Sequence, residues 1–263
     1  MSFIPQPILF TLGSFTVYYY GLILVLAIII ASIFSRKRLL KKNLLSKDKI
    51  EDLFFSLIIW GLIGARLFHV FFFEWSYYSH NLIAIIKVWE GGLAIQGAII
   101  AGLLTLLIFT KKNKLIFFKI SDNLFPFLAL GQAIGRWGNF FNQELFGKPT
   151  SSIYGIYISL ENRVRGFESF NYFHPTFFYE SLLNLILFII LLKILKIKKL
   201  GLASLSYLLG YSLIRFSLEY IRIDEVPLIF NIRAPQLLSF IIIIITIFII
   251  YNKYLRVLSK DNK

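Results

Sequence analysis

The chain has 263 residues, of which 57% are hydrophobic, 17% aromatic and only 16% charged, against about 45–50% apolar and about 25% charged in soluble domains. This argues against a soluble enzyme, a disordered chain or a nucleic-acid binder. The net charge of +14 fits the basic-loop bias of a membrane protein more economically than nucleic-acid binding. With no cysteine, disulfides, thiolate metal sites and a cysteine nucleophile of its own are excluded.

The first 35 residues contain no Asp, Glu, Lys or Arg. The apolar stretch Phe15–Phe34 has membrane length and is followed by Arg36, Lys37 and Arg38. It reads as a retained membrane helix, not a cleaved secretory signal. Crossing ~30 Å of hydrocarbon takes roughly 20 helical residues. On that measure seven spans are expected, at 15–34, 53–73, 91–110, 121–141, 175–195, 201–219 and 236–252. The fourth and sixth each carry an arginine.

With the N-terminus outside, the inner connections and C-terminal tail hold 19 Lys/Arg and the outer segments six, and the other three (Arg66, Arg136 and Arg215) lie within spans. The positive-inside rule therefore places the N-terminus outside and the C-terminus inside. The expected fold class is an all-α integral membrane protein forming a single multi-pass domain. No repeat or inverted symmetry is visible, which weighs against a secondary transporter. The longest outer connection, 142–174, is expected to cover a site and to contain a short strand near Ser152–Ile158.

Charges within a membrane helix cost about 2.5–3.5 kcal/mol on insertion scales and are functional candidates by default. In this topology Tyr20, Arg66, Gln96, Arg136, Glu180, Arg215 and Glu219 converge on the outer half of the bilayer. Tyr211, Arg215, Glu219 and Arg222 follow spacings of four, four and three and share one helical face. That stripe suits a basic wall for an anionic lipid headgroup, because arginine binds phosphate oxygens bidentately. It also suits a self-neutralising Arg215–Glu219 pair with a snorkelling Arg222.

The densest signal is Gly135-Arg136-Trp137-Gly138-Asn139-Phe140-Phe141-Asn142-Gln143-Glu144-Leu145-Phe146-Gly147. Its glycines permit close backbone approach, and its amides and carboxylate supply donors and acceptors at the interface. This segment resembles the signature of the prolipoprotein diacylglyceryl transferase family at every fixed position, Gly-Arg-x-Gly-Asn-Phe-x-Asn-x-Glu-x-x-Gly. Tyr20-Gly21, Gly64-Ala65-Arg66-Leu67, Trp89-Glu90-Gly91-Gly92, His174-Pro175-Thr176 through Tyr179-Glu180, and Arg215-Phe216 through Glu219 and Arg222 resemble further family elements in the same order.

The resemblance implies transfer of a diacylglyceryl group from phosphatidylglycerol to the lipobox cysteine thiol of a prolipoprotein, forming a thioether and releasing glycerol phosphate. It implies a bacterial cytoplasmic (inner) membrane location, with the site toward the outer leaflet and no cofactor or metal. By motif position Arg136 and Arg215 are the headgroup-binding arginines. Asn139, Glu144, Tyr20 and Glu219 match catalytic positions, and Asn142, Gly147, Gln96 and Arg222 complete the phosphatidylglycerol site. Gln96 stands where some relatives carry a histidine proposed as the base, so the base is open; glutamine is not one. Glu219 is an alternative proton acceptor, weakened by its arginine neighbours. His69 and His80 are expected to be structural or solvated, and His174 to orient the entry to the fifth span.

Two other classes compete. A transporter of an anionic lipid or solute predicts polar residues through the full membrane depth. A metal-dependent headgroup transferase predicts clustered carboxylates, whereas Asp48, Asp52, Asp122, Asp224 and Asp261 are scattered.

Overall fold

The computed structural model describes residues 4–13 and 15–255, the side chains of Phe15 and Leu255 excepted. The basic tail beyond 255, counted above on the inner side, lies outside the described residues. The described chain forms two compact units, one of residues up to 35 together with those from 122 onward, the other of residues 36–121.

The first unit opens with an antiparallel hairpin, β1 (Ile8–Leu12) and β2 (Phe15–Tyr18), turning at Gly13 with φ 60°. The span expected from residue 15 therefore begins four residues later, as α1 (Tyr19–Lys41). Phe15-Thr16-Val17-Tyr18 is β-branched and aromatic, a composition that suits a strand, and the hairpin closes with Tyr19 N–H donating to the Pro7 carbonyl at 3.0 Å. At its far end α1 continues past residue 34 and includes Arg36–Arg38, whose long stems can lie along apolar surface while their heads reach water.

Four more long helices belong wholly or mainly to this unit: α5 (Phe117–Phe141), α6 (Thr176–Ile194), α7 (Leu202–Leu218) and α8 (Ala234–Ile250). Pro126 lies inside α5 and deprives the Asp122 carbonyl of its helical donor. The Asp122 carboxylate caps the start of α7, accepting from Gly201 N–H at 2.6 Å, Ser204 N–H at 2.8 Å and the Ser204 hydroxyl at 2.7 Å. This satisfies donors that a helix N-terminus leaves unpaired. Two small hairpins complete the unit, β3 (Ile156–Tyr157) with β4 (Tyr172–Phe173), and β5 (Leu228–Ile229) with β6 (Ile232–Arg233). The strand expected at 152–158 is thus confined to its last residues.

The second unit is built on the packing of α2 (Lys47–Phe72) against α4 (Ile95–Lys112). Ser46 caps α2 and Asp48 sits in its first turn, where a carboxylate complements the helix dipole. Gly64 and Gly97 let the two backbones touch: a Cβ on Gly64 would lie 2.7 Å from the Gly97 carbonyl oxygen. Such small-residue contacts let membrane helices associate through packing and not through hydrophobicity. Between them run a single-turn helix, α3 (Trp75–Tyr78), and two 3-10 turns at Leu82–Ile86 and Val88–Glu90.

Five helical segments are long and apolar enough to cross a membrane: Tyr19–Lys41, Lys47–Phe72, Ile95–Lys112, Thr176–Ile197 and Ala234–Tyr254. α7 is apolar but has only 17 residues, and α5 is long but more polar. Arg136 lies in α5 and Arg215 in α7.

Candidate active site

The signature segment occupies the end of α5 and the turn beyond it, and three strand-like contacts fix that turn. Gly147 N–H donates to the His174 carbonyl at 2.9 Å, Lys148 N–H to the Ile221 carbonyl at 2.9 Å, and Gly147 bridges to Arg222. The motif is thereby joined to the entry of α6 and to the segment that leaves α7. A side chain at Gly147 would meet Ile221 Cγ2 at 2.8 Å and Thr176 Cγ2 at 2.9 Å, so this seam needs glycine. Gly138 serves a similar purpose: a Cβ there would sit 2.6 Å from Tyr20 Cδ2. Tyr20, half exposed in the first turn of α1, lies directly against the signature helix, and Tyr19 stacks on Phe141 with centroids 4.2 Å apart.

At the centre is Glu180, 1% exposed, in the second turn of α6. Arg136 Nη2 lies 2.6 Å from its Oε1, while Arg215 Nη1 at 3.3 Å and Arg222 Nη1 at 3.5 Å approach Oε2. Glu219, equally buried, accepts from Arg215 at 3.1 Å and from Arg233 at 2.8 Å. Asp224 receives Arg222 at 2.8 Å and Arg233 at 3.7 Å. Tyr211 stands beside Arg136 and Glu180. A buried carboxylate is tolerable only when paired, and each of these is paired more than once. Four guanidiniums face three carboxylates in this network, an excess of one positive charge. Arg136 and Arg215 also keep partly open edges, with side chains 21% and 15% exposed.

A second, smaller network adjoins it. Arg136 Nη1 reaches Asn139 Oδ1 at 3.4 Å, and Asn139 Nδ2 donates to Glu144 Oε1 at 2.7 Å. Asn142 Nδ2 reaches the same oxygen at 3.3 Å.

Of the residues singled out in the sequence, Arg136, Asn139, Asn142, Glu144, Gly147, Arg215, Glu219 and Arg222 come together here, with Tyr20 against Gly138. The snorkelling reading of Arg222 is overturned: it is 5% exposed and held by Glu180 and Asp224. The Arg215–Glu219 pair does form, but Arg233 and Glu180 extend it into a network. Sequence reasoning treated Arg233 as a loop charge and Asp224 as a scattered acid. Only the return of the β5–β6 hairpin brings Arg233 back to Glu219, and nothing local in the sequence announces that. Gln143 was also passed over; it is buried, donating to the Pro5 carbonyl at 3.0 Å and accepting from Ser159 N–H at 2.7 Å.

Gln96 and Arg66 belong to the other unit. Gln96 is exposed in the first turn of α4. Arg66 is 4% exposed and satisfies backbone, donating to the carbonyls of Ala84, Ile85, Lys87, Gly91 and Gly92 at 2.5–3.2 Å. It therefore organises the 84–92 segment, with its guanidinium 5.0 Å from the Tyr78 ring centroid. His69 packs edge-on against Phe73 and Tyr78. His80 is exposed, and His174 contacts the Tyr179 hydroxyl at 3.1 Å, consistent with a role in orienting the start of α6. Arg163 staples the 142–174 connection, bonding to the Ile158 and Glu168 carbonyls and to Asn171 Oδ1 at 2.6–3.0 Å. Beside it the Glu168 carboxyl accepts from Gly166 N–H, which holds its pKa below the usual carboxylate range.

Residues 7–252 match the family model of prolipoprotein diacylglyceryl transferase. A phosphatidylglycerol--prolipoprotein diacylglyceryl transferase of Parasynechococcus marenigrum is 43% identical over 84% of this chain and 81% of its own length. Enzymes of the same name from Trichormus variabilis and Staphylococcus aureus are 40% and 38% identical, covering 89% and 95% of this chain and 85% and 90% of their own. The chain belongs to the prolipoprotein diacylglyceryl transferase family.

Proposed function

We propose that this chain transfers the diacylglyceryl group of phosphatidylglycerol to the thiol of a prolipoprotein lipobox cysteine, forming a thioether and releasing glycerol phosphate. The observation that carries the reading is the convergence of Arg136, Arg215 and Arg222 on buried Glu180, with Arg136 inside the complete family signature. In the transfer, sulfur bonds to a glyceryl carbon as the bond from that carbon to phosphate oxygen breaks. The phosphate goes from one negative charge to two. Donors already in place when that charge develops stabilise the transition state without reorganisation.

In this scheme Arg136 and Arg215 bind the phosphate through their open edges. Arg222 and Arg233 keep Glu180 and Glu219 neutralised while the other two turn to the lipid. Asn139 and Asn142 orient Glu144. Tyr20, Gly147 and Gln96 are assigned to the headgroup by their positions in the family motifs. The enclosing architecture is seven spans in the bacterial cytoplasmic membrane, N-terminus outside and C-terminus inside, with the site toward the outer leaflet and the 142–174 connection over it. The substrate partners are phosphatidylglycerol and the prolipoprotein. A transporter is disfavoured because the buried ion-pair network gathers at one set of helix ends, where a permeation path would need polar groups at every depth.

The test is reconstitution of the purified protein in phosphatidylglycerol vesicles with a lipobox peptide, followed by mass spectrometry of the peptide. A gain of one diacylglyceryl mass, absent with phosphatidylethanolamine vesicles, is expected. An unmodified peptide would reject the reading.

A further inference from the structure

Four carboxylates stand in or beside the site, and they are not equivalent. Glu180 takes three arginines, Glu219 two and Asp224 two. Each therefore has its carboxylate oxygens already engaged by more than one guanidinium. Glu144 differs: its hydrogen bonds come from the neutral amides of Asn139 and Asn142, and it forms no ion pair among the described residues. Both amides reach Oε1, leaving Oε2 for another partner.

The backbone around Glu144 is equally distinctive. Gln143 and Leu145, on either side of it, both adopt left-handed conformations, with φ of 51° and 54°. Non-glycine residues pay for that conformation, and it persists only where surroundings over-determine it. Here they do. The Gln143 side chain is tied at both ends, to Pro5 and Ser159; the Leu145 carbonyl accepts from the Thr176 hydroxyl; and Glu144 N–H donates to the Asn139 carbonyl at 3.0 Å. The turn is braced from three directions, and the residue it presents is a carboxylate. Tyr20 from α1 lies near it, and Arg136 from α5 is linked to it through Asn139.

We propose that Glu144 is the general base that takes the proton from the incoming thiol, an assignment that rests on the transferase reading above. The thiol proton passes to Glu144 Oε2 as sulfur bonds to the glyceryl carbon, and the electrons of the breaking carbon–oxygen bond leave with the phosphate oxygen. The released phosphate monoester or water then removes the proton from Glu144. Arg136, joined to Glu144 through Asn139, sits where both the forming thiolate and the departing phosphate need positive charge. A cysteine thiol is mostly protonated at neutral pH, so the step needs an acceptor, and this is the site carboxylate least committed to arginine.

The experiment compares two nucleophiles. Wild type, Glu144→Gln and Glu144→Asp, in phosphatidylglycerol vesicles, are given a lipobox peptide carrying cysteine or the same peptide carrying selenocysteine, whose selenol is already ionised at neutral pH. Single-turnover rates are read by mass spectrometry. Glutamine keeps an acceptor for both amides, so Glu144→Gln should lose about 10²–10⁴-fold with the cysteine peptide and recover most of the rate with the selenocysteine peptide. Glu144→Asp, which keeps a base but retracts it, should fall between and show the same nucleophile dependence; it serves if the glutamine variant does not fold. Equal losses with both peptides, or no loss with cysteine, overturn the assignment. Failure of the wild type with both peptides rejects the transferase reading itself, which is a different result.

Discussion

Arg136 and Arg215 hold different oxygens of one carboxylate: Arg136 meets Glu180 Oε1 at 2.6 Å and Arg215 meets Oε2 at 3.3 Å. Glu180 thus sets the spacing of two guanidiniums from two helices, α5 and α7, and screens their mutual repulsion. Glu180→Gln removes the charge and keeps the shape. It should destabilise the protein by about 3–5 kcal/mol, the usual cost of breaking a buried ion pair from one side. Thermal unfolding in detergent would show this as a lowered Tm, and an unchanged Tm would mean that the arginines are held by other contacts.

Arg136→Ala and Arg215→Ala should each reduce single-turnover transfer by about 10²–10³-fold, the loss expected for one preorganised donor to developing charge. Lysine at either position should recover only part, since it lacks the planar fork. Arg165→Ala, exposed on the 142–174 connection, is the control and should match wild type. Arg163 is unsuitable for that purpose because it staples the connection. Normal rates in both alanine variants at normal expression would remove these residues from the mechanism.

Arg66→Ala should loosen residues 79–94 without touching the arginine network around Glu180. Five backbone carbonyls would lose a charged donor, and hydrogen bonds to charged groups contribute about 1.5–3 kcal/mol each. Limited proteolysis should show new cleavage in this stretch. Arg66→Lys should behave more like alanine than like wild type, because one ammonium cannot span carbonyls from Ala84 to Gly92. Protection equal to wild type in both variants would contradict the clamp.

Gly97→Ala tests the α2–α4 contact. The added methyl would fall 2.5 Å from Phe68 Cβ as well as on the backbone of Gly64. Overpacking of this kind costs about 1–3 kcal/mol, so a drop in Tm is expected. Gly102→Ala, where the new methyl meets nothing within 4 Å, should be neutral or stabilising.

Gln96→Glu should impair transfer more than Gln96→Asn or Gln96→His. The amide both donates and accepts without adding charge; a carboxylate loses the donor and would oppose a phosphate. Single-turnover rates of the three variants decide this, and a glutamate variant as fast as wild type would refute the positioning role.

The helices were legible because membrane spans are written in local composition: five of the seven expected segments satisfy length and hydropathy outright. The strand at Phe15–Tyr18 was not, because an apolar run reads the same in either conformation and only its pairing with Ile8–Leu12 decides. In the site, the Arg215–Glu219 spacing was visible as helical periodicity. The three-way grip on Glu180 was not, since it joins residues 44, 35 and 42 positions away from it along the chain. Arg66 shows the converse. Its position in a span made it a functional candidate, but its donors are used on the irregular backbone between α2 and α4, which no periodicity describes.

The shortness of α7 has a consequence for the membrane itself. In the seven-span arrangement proposed here, its 17 residues cross with about 25 Å of helix at 1.5 Å per residue, against about 30 Å of hydrocarbon. Asp122 pins its starting end, so sliding would strand a buried acid without donors. Local thinning of the bilayer accommodates such a difference, and it would lower the outer phosphates toward the depth of Arg215. Bilayer thickness then becomes a variable of the reaction: longer acyl chains should slow entry of the headgroup even though the chemistry at the glyceryl carbon is unchanged.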